Sequence, residues 1–215
     1  SPEAAWAAVG GFLATKPARD TAKTPASLPK LAGDSGFGFA GKAGEADIRV
    51  FRHALMTGVF AGLVANGKTH DKLRNTLNGS LDSIYANLSA ESKTSMATLL
   101  KALSNGKADG AAFARALQAA EAGIAKGPQR AHGYMAAGLW LGLSSTVAGI
   151  DGDRSVFANM AGPLVVLLRE DAEFGGADKK IARHMEVVAG LLGNKSADAG
   201  KINGEVSGAL DVKPD

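Results

Sequence analysis

An all-α fold is predicted from three features of the amino-acid sequence. Apolar residues recur every three or four positions over most of the chain, as they do on the buried face of an amphipathic helix. The periodic segments are separated by glycine, proline and asparagine, with no sustained alternation of the kind that strands show. The 215 residues are 46% hydrophobic and 21% charged, which is enough apolar material for a substantial core. We therefore expect about eight helices packed as bundles.

Residues 1–44 are predicted to form an irregular N-terminal arm and linker. The first 15 residues fit a short helix with Pro2 in its first turn. Residues 16–44 contain Pro17, Pro25, Pro29 and many glycines, and they show neither a helical period nor an alternating one.

Two similar segments predict a duplicated helix at the centre of the fold. Residues 52–63 read RHALMTGVFAGL and residues 131–143 read AHGYMAAGLWLGL, which match after the insertion of one residue. Both segments are almost uncharged, so each helix should be buried on most sides. Their glycines are spaced so that a neighbouring backbone can approach closely. We expect the two helices to pack together through Gly58, Gly62, Gly138 and Gly142.

The helices that follow also match between the two halves of the chain. The leucine pattern of residues 73–88 predicts one helix, residues 89–104 a second, and residues 109–127 a third. Residues 156–167 correspond to residues 73–84, with Pro163 in place of Ser80, and this proline should break its helix near Gly162. The sequence thus predicts two related four-helix repeats, residues 45–127 and 128–212, related by an approximate two-fold axis and able to share one compact domain.

Composition excludes several classes of function. The net charge is +3, but the 24 basic residues are scattered among 21 acidic ones, so a nucleic-acid surface is not expected. The absence of cysteine excludes disulfides, iron–sulfur clusters and cysteine-ligated zinc. No transmembrane segment is predicted, because the longest uncharged run, residues 131–150, carries a histidine, four glycines and hydroxyl residues typical of a buried core helix. The composition favours a periplasmic or secreted protein and is also compatible with the cytoplasm.

Histidine and methionine lie three residues apart in both copies of the central helix. His53 with Met56, and His132 with Met135, project from neighbouring turns, and imidazole and thioether are ligands for copper or haem iron. The alternative is that all four are buried core residues, since methionine commonly fills cores and a histidine on an uncharged helix is usually hydrogen-bonded and neutral. A helical projection places His53 opposite the stripe of Ile48, Leu55 and Val59, which argues against a shared metal site.

The densest acidic group comprises Glu170, Asp171, Glu173 and Asp178. Such carboxylates could hold a cation or transfer protons in a hydrolytic enzyme, whereas water-exposed side chains at a helix end are the simpler interpretation. No nucleophile, base and orienting group can be assembled from the motifs, so the sequence favours a non-enzymatic helical binding or scaffold protein without a cofactor. Its partner would be a protein or a small ligand. A copper or haem protein and a hydrolase acting through the group near Glu170 are the alternatives.

Overall fold

The structure, a computed structural model, describes residue 31 and residues 43–68, 70–85, 90–104, 115–117, 119, 122, 129–150, 153–169, 176–194 and 199–215. Its helices are α1 (Glu45–Ala65), α2 (Asp71–Gly79), α3 (Leu81–Tyr85), α4 (Ala90–Ser104), α5 (Gln129–Val147), α6 (Ser155–Asn159), α7 (Ala161–Arg169), α8 (Gly176–Gly193) and α9 (Ala199–Leu210). No strand is present in these ranges. The predicted all-α class is confirmed for this part of the chain.

Helix α1 begins where its sequence provides a negative charge for the helix dipole. The Asp47 carboxylate accepts a hydrogen bond from the Gly44 backbone N–H at 2.8 Å, and Glu45 adds a second acidic side chain to the first turn. Beyond Arg52 the helix carries no charge, and its residues from His53 to Val64 are all buried. The helix is therefore a central element of the core.

Helices α1 and α5 form the most extensive helix contact of the fold. Gly58 lies against Leu139 and Gly142, while Gly62, one turn further along α1, lies against Thr146, one turn further along α5. The two helices therefore run parallel. A Cβ atom added to Gly142 would lie 2.1 Å from the carbonyl oxygen of Leu55, so the backbones approach too closely for any side chain at that position.

One described helix, α1, is long and apolar enough to cross a membrane by length and composition. However, 78% of its most apolar window is buried inside the protein, which is the environment of a core helix.

Both halves contain a short helix pair that is interrupted at a single residue. In the first half, the predicted continuous helix over residues 73–88 is wrong, because it breaks at Ser80, whose hydroxyl donates to the Thr76 carbonyl at 2.6 Å. In the second half, the break occurs at Met160, two residues before the position we predicted. Pro163 explains it, because a proline has no N–H and its ring clashes with the carbonyl four residues earlier, at Asn159, where α6 ends.

Two arginines bind the carbonyl ends of helices across the core. Arg52 donates to the carbonyls of Leu210 and Val212, at 3.1 and 2.7 Å, where α9 ends. Arg154 is 7% exposed and donates to the carbonyls of Ala148 and Asn194, at 3.1 and 3.0 Å, just beyond the ends of α5 and α8. Guanidinium groups suit these positions because helix C-termini carry partial negative charge.

The last residue, Asp215, connects the starts of two helices. Its carboxylate accepts the backbone N–H groups of Ala43, just before α1, and Ala177, in the first turn of α8, at 2.9 and 3.0 Å. Its own N–H donates to the Ala43 carbonyl at 2.9 Å. Asp215 thereby joins the start of α1 to the start of α8.

Buried apolar residues from both halves belong to one hydrophobic cluster. Leu31 joins it, as does Leu117, which lies in a short helical stretch at residues 115–117. Otherwise, most of the predicted N-terminal arm and of the predicted helix over residues 109–127 lies outside the described residues.

Candidate functional site

His53 lies in the core with a partner for each ring nitrogen. Its Nε2 is 3.0 Å from the Leu77 carbonyl oxygen, which can only accept, so Nε2 carries the proton. The Tyr85 hydroxyl lies 3.2 Å from Nδ1 and donates to it, and the two rings meet edge to face. The histidine therefore connects α1 to α2 and α3.

Burial determines the protonation of this pair. Removal from water lowers the pKa of His53 from its usual value near 6.5 to about 4, although the hydrogen bond to Leu77 opposes the shift. Burial likewise raises the pKa of Tyr85 above its ordinary value. Both side chains are therefore neutral at physiological pH, as a buried structural network requires.

Three of the four predicted metal ligands, His53, Met56 and Met135, have described side chains. His53 contacts α2 and α3. Met56 lies on roughly the opposite side of α1 from Gly58, because two residues correspond to a rotation of about 200°. Gly58 itself faces α5. His132 and Met135 belong to α5; Met135 is buried, whereas the side chain of His132 lies outside the described part. A site shared by the four residues would require His53 to leave one of its present partners, so copper or haem binding remains a hypothesis.

Of the predicted acidic group, only Asp178 lies within the described residues. It is 1% exposed, and the hydroxyl of the buried Tyr134 donates to its Oδ1. The expectation of a water-exposed carboxylate is therefore wrong for Asp178, because the first turn of α8 packs against α5. Glu170, Asp171 and Glu173 lie outside the described residues, so the hydrolytic hypothesis remains untested. In the part of the chain that is described, no group of three or more His, Asp or Glu side chains could hold a metal ion.

A surface cleft lies where α1 and α4 end and α2 begins. Its enclosed volume is about 50 Å³, which is far below the range for small-ligand sites. Its apolar lining comes from Phe60 and Val64 of α1 and Leu103 of α4.

The rim of this cleft carries several charged and polar groups. Lys68, His70, Asp71 and Arg74 lie around it. The His70 Nδ1 accepts the backbone N–H of Leu73 at 3.0 Å, and Arg74 pairs with Asp71 at 3.4 Å. Among the described residues that line the cleft, an apolar floor therefore adjoins two cations and one carboxylate.

A second feature is the outer face of α6 and α7. The sequence from Ser155 to Leu168 contains no charged residue. Val156 and Val166, which are 48% and 64% exposed, are the exposed large apolar side chains of the described residues, and both lie here. The exposed Gly162 and Pro163 lie between them. This uncharged face, defined by Val156, Gly162, Pro163 and Val166, has the character of a contact surface.

No family model, no curated protein and no solved structure matches this chain.

Neither the cleft nor the uncharged face was predicted from the sequence. The cleft joins residues from the ends of α1 and α4 and the start of α2, so no local pattern marks it. The sequence did contain one indication of the uncharged face. Fourteen consecutive residues, 155–168, carry no charge, and they include Pro163, which breaks the helix. The sequence predicted a helical match for residues 156–167 and did not indicate which of its sides is exposed.

Proposed function

We propose that this protein is a non-enzymatic helical interaction protein that binds a protein partner through the uncharged face of α6 and α7. The observation that carries the proposal is the exposure of Val156 and Val166 on a helix pair without a charged residue. Single exposed apolar residues are common on proteins, but here both lie on one short helix pair, with the exposed Gly162 and Pro163 between them in the sequence.

Other exposed helix faces of the protein differ from this one in charge. The solvent side of α8, for example, carries Lys179, Lys180, Arg183 and Glu186. Charged residues are depleted at the centres of protein interfaces because their desolvation is costly. The face of α6 and α7 can be desolvated without that cost, which favours it as the contact surface.

Site-specific photo-crosslinking in the native host tests this proposal. A photoreactive amino acid at position 166 should give a discrete protein adduct, whereas the same group at the exposed Lys101 of α4 should not. Adding Val156→Lys to the position-166 protein should abolish the adduct, because it places a charge in the contact. Identical adducts at both positions, or none at either, would refute the assignment of this face.

We also propose that the two halves are related four-helix repeats around a glycine-rich central helix pair. Each half contains a long first helix, a short pair interrupted at one residue, and a further long helix. Ser80, at one interruption, corresponds in sequence to Pro163, which causes the other. The close contacts of Gly58, Gly138 and Gly142 between α1 and α5 support the central pair.

The contact differs in register from the sequence match. Gly58 corresponds to Gly138 in sequence but packs against Gly142, one helical turn further along. Superposition of the two halves tests the repeat directly, since α1 to α4 should match α5 to α8 in the same order. Unrelated paths of the two halves would contradict the duplication.

A further inference from the structure

In the first half, one buried histidine bonds the interrupted helix pair to the central helix α1. Leu77 lies in α2, three residues before the break at Ser80, and its carbonyl accepts the His53 Nε2–H at 3.0 Å. The Tyr85 hydroxyl of α3 donates to the other ring nitrogen at 3.2 Å, so both short helices are bonded to the same imidazole. His53 is fully buried. The imidazole is therefore shielded from water as long as α2 and α3 stay on α1.

The second half has the same arrangement with a ring that does not titrate. Phe157 lies in α6, three residues before the break at Met160, and its carbonyl accepts the Trp140 indole N–H of α5 at 2.8 Å. The Phe157 and Trp140 rings also stack, with centroids 5.2 Å apart. Indole is a hydrogen-bond donor only and gains no proton at physiological pH. The two halves thus bond the same backbone position with rings that respond differently to acid, whether or not the halves arose by duplication.

None of the described charged side chains on the helices that cover His53 neutralises an imidazolium there. The charged residues of α2, α3 and α4 are exposed, apart from the partly buried Arg74, which pairs with Asp71; they are Asp71, Lys72, Arg74, Asp82, Glu91, Lys93 and Lys101. Helix α5 packs on the other side of α1, against Gly58. Burial lowers the pKa of His53 and the Leu77 hydrogen bond opposes the shift, without a contribution from these charges. A proton added to the ring would therefore place an uncompensated charge in the core.

We propose that His53 is an acid-sensitive latch, which releases the α2–α3 pair from α1 when the pH falls, while the α6–α7 pair stays on α5. Protonation favours the open arrangement because the imidazolium is hydrated there. Helix α1 keeps its position, since its most extensive contact is with α5, on the side away from His53. The opening is therefore confined to the first half.

The size of the effect follows from two protonation equilibria. The buried histidine has a pKa of about 4, whereas a hydrated histidine titrates near the usual value of 6.5. The ratio of open to closed protein must therefore rise as the pH falls below the usual value, until the closed form is protonated as well. Between about pH 7 and pH 5 this ratio should rise about 20-fold.

Hydrogen exchange of two matched amides tests the latch on the full-length protein. The Ile84 N–H donates to the carbonyl of the break residue Ser80 at 3.1 Å, and the Leu164 N–H donates to that of the break residue Met160 at 3.3 Å. NMR gives the protection factor of each amide, which is its slowing relative to an unfolded chain. Protection of Ile84 should fall about 20-fold between about pH 7 and pH 5.

Low concentrations of urea distinguish this local opening from global unfolding. Near pH 5, exchange at Ile84 should depend on urea much less than global unfolding does, because releasing one helix pair exposes less surface. Leu164 should remain better protected. Unchanged protection of Ile84 between the two pH values would overturn the proposal. So would the same protection and the same urea dependence at both amides, because the halves would then open only together.

His53→Gln separates the titration from the hydrogen bond. Glutamine can still donate to the Leu77 carbonyl but does not titrate, so Ile84 should have the same protection at both pH values in this variant. His184→Gln is the matched control, because His184 lies in α8 and bonds to Glu205 at 2.6 Å. This control should keep the fall of about 20-fold. A fall that persists in His53→Gln would contradict the latch.

The wild-type protein provides a second measurement that does not depend on how the variant folds. The nitrogen chemical shifts of the His53 ring should report a neutral imidazole with its proton on Nε2 down to about pH 5. A His53 ring that gains its proton near the usual pKa while Ile84 stays protected would overturn the proposal. The result is also independent of the proposed partner surface, because photo-crosslinking at position 166 reports on α6 and α7, which the latch leaves in place.

Discussion

Replacing Gly142 with alanine should destabilise the protein by forcing α1 and α5 apart. The added Cβ would lie 2.1 Å from the Leu55 carbonyl oxygen and 2.8 Å from the Val59 nitrogen. Both are backbone atoms of a helix, so no side-chain rotation can relieve the contact. Since Cβ contacts under 3.0 Å are essentially never observed, the helices must separate locally by roughly 1 Å, and a gap of that size forfeits about a quarter to a half of the dispersion energy across it.

The expected magnitude follows from two opposing effects. Overpacking of a tight core costs about 1 to 3 kcal/mol. Alanine is intrinsically better than glycine within a helix by about 1 kcal/mol. Gly190, in α8, is the matched control, because a Cβ there meets no atom within 4 Å. Gly190→Ala should therefore be neutral or stabilising. Because the gain in helix propensity is common to both variants, they should differ by the overpacking cost of about 1 to 3 kcal/mol.

Urea unfolding followed by circular dichroism measures this difference. The midpoint for Gly142→Ala should fall below that of the wild type, with the slope unchanged, while Gly190→Ala should equal or exceed it. If Gly142→Ala were as stable as Gly190→Ala, the close parallel approach of α1 and α5 would be wrong.

Four further results are expected. When the pH is lowered from about 7 to about 4, the wild type should lose up to about 3 kcal/mol of stability relative to His53→Gln. The reason is that the unfolded histidine binds a proton near pH 6.5, whereas the folded one binds it only near pH 4. Equal pH dependence in urea titrations of both proteins would contradict this. Arg154→Met should cost about 2 to 4 kcal/mol by leaving two helix-end carbonyls unbonded, with the exposed Arg183→Met as a near-neutral control in the same assay. Asp215→Asn should speed hydrogen exchange of the amides that begin α1 and α8, and unchanged exchange would show that its carboxylate does not hold them. Copper titrations of wild type and His53→Gln should agree, and stoichiometric binding that is lost in the variant would support the metal hypothesis instead.

The sequence alone predicted the all-α class and the side of α1 on which His53 lies. Periodicity depends only on which side of each helix is buried, so it predicts helices whatever their partners are. The projection that placed His53 opposite Leu55 and Val59 agrees with the structure, where those two residues contact Gly142 and His53 contacts Leu77.

Long-range polar contacts could not be predicted in the same way. Arg52 donates hydrogen bonds to the carbonyls of Leu210 and Val212, and the Asp215 carboxylate accepts one from the Ala43 backbone N–H. Neither contact has a local sequence signature, because each depends on which helix ends the fold brings together. The burial of Asp178 was missed for the same reason: a carboxylate beside glycines resembles an exposed turn until its tertiary partner Tyr134 is known.

The differences between the halves explain how one protein could keep both a stable core and an open cleft. In the second half, Arg154 and the Trp140–Phe157 pair satisfy the helix ends and fill the space beside them, so that end contributes to stability. The last carbonyls of α1 and α5 are nevertheless bonded in the same local way, by the N–H groups of Asn66, Gly67 and Lys68 in the first half and of Ala148, Gly149 and Ile150 in the second. Arg154 therefore adds to an end of α5 that is already bonded, by joining it to the end of α8. Because the last carbonyls of α1 are bonded within their own turn, the opening beside Phe60 does not leave the end of α1 without hydrogen bonds.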